Sequence, residues 1–149
     1  MKSPHLLRVT EPPERFAALI EAGRGLGLRI GWLELGPGPE PLPPALGTAA
    51  DLGVLRAVAV GEGRAVSVKP LRGQPVLKDL LREHFLGCAL VLVRGEVDAP
   101  VLEPDGEAWR LALPENASRR LTTVELAESL RQPHPWGSFP PPSPAVRSQ

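Results

Sequence analysis

Val76–Val93 reads VLKDLLREHFLGCALVLV, and two kinds of order follow one another in it. Set at 100° per residue, Leu77, Leu80, Leu81 and Phe85 fall on one side, while Lys78, Asp79, Arg82 and Glu83 lie opposite or at the flanks. That is an amphipathic helix, with Pro75 suited to its first turn. Cys88–Val93, CALVLV, is an unbroken apolar run, the pattern of a strand covered on both faces. A helix feeding a fully buried strand signals an α/β layer structure.

Working outward, VLRAVAV-GEG-RAVSVK (Val54–Lys69) reads as a hairpin with a glycine-flanked turn. Beyond the central strand, PVLEPDGEAWRLAL reads as a second hairpin turning at PDG, with Trp109, Leu111 and Leu113 on one face. Upstream, Pro12 and Pro13 suit a helix start, Phe16, Leu19 and Ile20 form its apolar stripe, and Gly23 ends it. LRIGWLEL (Leu28–Leu35) follows as a strand. Near the C-terminus Thr122 and Glu125 make a capping box, Leu121 can staple against Leu126, and Val124, Ala127 and Leu130 are expected to point inward.

The order is β-α-β, connection, β-β-α-β, β-β-α. It predicts one compact α/β or α+β domain over 1–132, with a mixed sheet of six to seven strands and three helices. Residues 36–47, GPGPEPLPPALG, carry five prolines and are expected to form a stiff extended connection. Residues 133–149 are expected to form an irregular Pro-rich tail, with a P-x-x-P spacing at Pro141–Pro144. Trp136 in that tail is too large and apolar to be left in water, so it should pack on its own domain or on a partner. The strands at 64–69 and 88–93, bridged by the amphipathic helix, are expected to be parallel neighbours.

The bulk numbers limit function. The chain has 149 residues, 42% hydrophobic and 23% charged, with zero formal net charge. Such a balance gives no basic footprint for nucleic acid. The longest apolar run is too short to span a bilayer, and Met1–Glu14 lacks the apolar core of a signal peptide, so a cytoplasmic, non-membrane protein is expected. One cysteine makes neither an internal disulfide nor a Cys-rich zinc site. Arginine far outnumbers lysine and there are 19 prolines, as a GC-rich or thermophilic source would give.

Three places invite chemistry. His84 sits mid-face on the central helix, four residues before Cys88. The expectation is a buried neutral histidine and an inert packed thiol rather than a Cys–His nucleophile, because activated cysteines occupy electropositive, partly exposed sites. Glu96 and Asp98 point one way on an extended segment, a weak divalent-cation pattern, and no metal site is expected. The third place is SVKPLRGQPVL. Ligands gather beyond the carboxyl ends of parallel strands, and a helix N-terminus there attracts anions. Lys69, Arg72 and Gly73, joined by Arg94 from the end of the next strand, would suit a phosphate or carboxylate. No P-loop is present, and GRGLG (Gly23–Gly27) follows a helix rather than a strand, so no nucleotide-cofactor fingerprint is read and no cofactor is expected.

Two functions follow as expectations. The first is a non-catalytic binding or accessory protein, acting through protein–protein contacts or as a homodimer joined through a strand edge or the Trp136 segment. The second is a small enzyme or sensor for an anionic or phosphorylated metabolite, using Lys69, Arg72 and Arg94.

Overall fold

The structure is a computed structural model that describes residues 3–35, 43–71, 73–74 and 76–136. In chain order its elements are β1 (His5–Val9), a 3-10 turn (Pro13–Phe16), α1 (Ala17–Gly25), β2 (Ile30–Glu34), α2 (Pro44–Asp51), β3 (Ala57–Gly61), β4 (Arg64–Val68), α3 (Leu77–His84), β5 (Leu90–Arg94), β6 (Val101–Asp105), β7 (Ala108–Ala112), a second 3-10 turn (Pro114–Asn116), β8 (Ser118–Thr122) and α4 (Thr123–Ser129). The fold is mixed α/β: a six-stranded mixed sheet, a two-stranded sheet and four α-helices among the described residues. The chain divides into two compact units, one of residues up to 36 together with those from 81 onward, the other of residues 37–80.

The larger unit carries the six-stranded sheet, in the order β2-β5-β1-β6-β7-β8. β5 lies between β2 and β1 and runs parallel to both, with Leu92 level with Trp32 on one side and Leu7 on the other. β6 meets β1 only at its start, Arg8 beside Val101, and then leads an antiparallel meander through β7 and β8. Leu90, Val91, Leu92 and Val93 are all fully buried, so both faces of β5 are covered, as an unbroken apolar strand requires. On one face Leu7, Val9, Leu90 and Leu92 join Phe16, Leu19, Leu102, Trp109, Leu111 and Leu126 in a single core. Phe16 stacks on Trp109 at 5.6 Å and tilts against Trp32 at 5.8 Å, tying the N-terminal crossover to the meander. α4 starts with the capping box, Thr122 Oγ1 accepting from the Glu125 amide and Glu125 Oε1 from the Thr122 amide. Val124 is exposed, contrary to expectation. It lies roughly 110° around the helix from the Leu126–Ala127–Leu130 side, beyond the reach of the core.

The smaller unit holds α2 and the β3–β4 hairpin. The pairing runs from Ala57 with Val68 to Gly61 with Arg64. The two-residue turn at Glu62-Gly63 has both φ angles positive, 51° and 73°, the conformation of a type I′ turn. Among the described residues, Leu46 of α2 and Ala57 of β3 are its buried apolar ones.

Three expectations are corrected. The strands at 64–69 and 88–93 are not neighbours: β4 pairs with β3, and the parallel partners of β5 are β1 and β2. An all-apolar strand needs apolar flanks, which Leu7, Val9, Ile30 and Trp32 supply and the exposed RAVSV of β4 does not. The Pro-rich connection is not extended to residue 47, since α2 begins at Pro44, where the missing amide hydrogen of proline at a first helical position costs nothing. Residues 36–42 lie outside the described residues. β8 was not anticipated, because SRRLT buries only Leu121 and shows no alternation.

Candidate functional site

The carboxyl ends of the three parallel strands bring polar groups together on the larger unit. Strand alternation puts Trp32, Glu34 and Arg94 on the core face, while Arg8, level with Val93, points to the other. Arg94 holds Glu34 through two bonds, Nε to Oε1 at 3.0 Å and Nη2 to Oε2 at 2.8 Å. Trp32 Nε1 donates to the same carboxylate at 2.7 Å, and the guanidinium carbon of Arg94 lies 5.8 Å from the Trp32 ring centroid. The Arg94 bonds, aided by the Trp32 donor, hold the Glu34 carboxyl below its ordinary range despite slight desolvation. On the opposite face Arg8 Nη2 donates to Glu96 Oε1 at 2.9 Å. Each of these guanidinium groups therefore meets a carboxylate of its own unit.

This placement bears on the residues singled out above. Arg94 does stand at the carboxyl end of a parallel strand, but its charge is engaged by Glu34. Lys69 follows β4 in the smaller unit, and Gly73 lies beyond it with φ +69°. Arg72 is outside the described residues. The inference that joined these positions to Arg94 was the pairing of β4 with β5, which does not occur.

His84 differs from expectation: its side chain is 46% exposed. No residue of α3 is buried, so the middle of its apolar face is not a core position. The ring lies 3.9 Å from the Glu83 carboxylate and edge-on to Phe85, and no hydrogen bond joins it to Cys88 among the described residues. Cys88 is half-buried, and desolvation raises its thiol pKa against a smaller opposing pull from Arg29. An ideal Cβ at Gly31 would lie 3.4 Å from its sulfur. Cys88 thus packs over the sheet, where desolvation disfavours its thiolate. No group of three or more His, Cys, Asp or Glu side chains among the described residues is placed to hold a metal ion. No helix among them is long and apolar enough to cross a membrane.

Trp136 packs on its own unit. It abuts the core cluster and meets the His5 ring edge-on at 5.5 Å, and His5 Nε2 lies 3.2 Å from the Leu130 carbonyl. The P-x-x-P spacing falls outside the described residues.

The smaller unit presents a different surface. Leu52, Leu55 and Val60 are more than three-quarters exposed, and Val54, Val58, Val66, Leu71 and Val76 are also open to solvent. Eight of the ten exposed large aliphatic residues among the described residues thus fall between residues 52 and 76. Single exposed aliphatics are ordinary, but a concentration on a unit with so small a core is characteristic of contact surfaces. Sequence reading identified the hairpin but not this surface. The signal was there in Val58 and Val60, which alternate with small residues where a solvated strand would carry polar ones. No protein-family model matches the chain, and no curated protein matches it.

Proposed function

We propose that the protein is a non-catalytic binding or accessory protein that acts through protein–protein contacts made by its hairpin unit. One observation carries this reading: aliphatic side chains that would ordinarily form a core are displayed outward between residues 52 and 76, on a unit whose buried apolar residues, among the described ones, are Leu46 and Ala57. Burying a leucine or valine side chain is worth about 1.5–3 kcal/mol, so a partner that covers several of these positions gains binding energy without a pocket. A two-stranded hairpin is marginal alone and gains from further strands or from covering. The arginines at the carboxyl edge of the parallel strands support this reading over anion capture, because Glu34 and Glu96 already occupy them.

Quantitative affinity capture compares the full chain with its Leu52→Glu/Leu55→Glu variant, circular dichroism confirming that both fold. The expected result is a stoichiometric protein partner, a second copy included, retained by the wild type and reduced at least tenfold by the variant. Equal recovery by both proteins overturns the proposal.

A further inference from the structure

We infer that Arg131–Trp136 is a strap that swings off the core on its own, hinged after Leu130, carrying the Trp136 indole into water while α4 and the sheet stay folded. This device belongs to the larger unit alone and stands apart from the contact role of the hairpin. Its origin lies in the three indole N–H groups. Trp32 Nε1 donates to Glu34 at 2.7 Å, and Trp109 Nε1 donates to Thr123 Oγ1 at 2.9 Å. Trp136 Nε1 is buried, yet it has no hydrogen-bond partner among the described residues. A donor taken out of water with nothing to receive it forfeits its hydration, a loss that is undone whenever the group returns to solvent. Of the three indoles, only that of Trp136 gains a hydrogen bond by leaving its seat.

The polar ties of the strap are weak. Arg119 Nη1 reaches the Pro135 carbonyl only at 3.5 Å, the outer limit of a hydrogen bond, and Arg131 Nη2 donates to the Leu26 carbonyl at 3.3 Å; both bonds are exposed. Residues 131–134 are exposed, and Pro133 and Pro135 bring no amide hydrogen to fasten the backbone. His5 meets the Trp136 ring edge-on, but its Nε2 lies 3.2 Å from the carbonyl of Leu130, ahead of the hinge, so that contact stays in place when the strap opens. What closes the strap is therefore chiefly the Trp136 ring against the edge of the core. α4 is held quite differently, by the capping box at its start and by the buried side chains of Leu126, Ala127 and Leu130. A firmly seated helix followed by a loosely tied segment puts the boundary between two opening units just after Leu130.

Hydrogen exchange at the three indole N–H groups of the full chain, followed by NMR, tests the strap, with Trp136→Phe assigning its signal. The Trp136 proton should exchange on the order of a hundredfold faster than that of Trp109, at a rate nearly indifferent to low urea. The Trp109 rate should climb with urea, as opening of the whole fold does. Trp136→Ala removes the ring that closes the strap. It should speed tryptic cleavage after Arg131 by about tenfold or more, yet leave the urea midpoint of the fold nearly unchanged. A Trp136 proton that exchanges in step with that of Trp109 overturns the inference. So does a Trp136→Ala chain whose midpoint falls as it does for a deleted core ring, or one that is cleaved after Arg131 no faster than wild type.

Discussion

Glu34 shows how one side chain converts a strand end into a fixed polar node. Its carboxylate accepts two bonds from Arg94 and one from Trp32, and these outweigh the cost of partial desolvation. The carboxyl is held below its ordinary value of 4.5, so near that pH the unfolded chain binds more protons than the folded one. The resulting stabilisation is fully present above the unfolded-state value and is lost as the pH falls through the folded-state value. Glu34→Gln should therefore be less stable than wild type at pH 7, with the gap closing on acidification, as read by urea unfolding across a pH series. A gap that stays constant down to pH 2 would contradict the assignment. None of this node was legible beforehand beyond Arg94 itself. Its partner Glu34 lies 60 positions earlier, and only the insertion of β5 beside β2 sets them level. His84 failed for the converse reason: a helical wheel gives direction, and burial depends on what lies in that direction.

At the scale of elements, close packing decides which substitutions the sheet tolerates. Gly31 lies on β2 level with Val91, on the face that Phe85 and Cys88 cover. A Cβ there would come within 2.5 Å of the Phe85 ring, which has no flexible end to swing aside. Gly31→Ala should destabilise the fold by about 1–3 kcal/mol, the range for overpacked cores, and Phe85→Leu in the same chain should recover part of the loss. Chemical denaturation of the single and double variants checks both, and a neutral Gly31→Ala would show that the Phe85 ring packs elsewhere. The elements with a strong local signature were readable: the amphipathic helix, the apolar run of β5, both hairpins, and the capping box of α4. α2 was obscured because proline at a helix start and proline in a linker look alike until the pattern after it is weighed. β8 was obscured because an outer strand rich in arginine carries almost no apolar period. Asp105 accepts from both Arg110 and Arg120 there, a pairing across strands that no local pattern reports.

Across the whole molecule stability is divided unequally. The larger unit buries a continuous core through β1, β5, β6 and β7, whereas the smaller one buries little beyond Leu46 and Ala57. Local opening follows such differences. Hydrogen exchange should therefore release the amides of Ala59 and Gly61 at least a hundredfold faster than those of Leu7 and Leu92. Equal protection would mean that the hairpin opens only with the whole fold. Sequence order was a poor guide at this scale. Adjacent segments suggested that β4 and β5 pair, but the apolar demand of β5 on both sides was met by strands from the N-terminus. That arrangement also governs how the molecule is made. β1 and β2 are made well before β5, yet they are not neighbours in the finished sheet, because β5 stands between them. Neither can pair with β5 until synthesis has passed Arg94, so both strands must wait for a segment made much later.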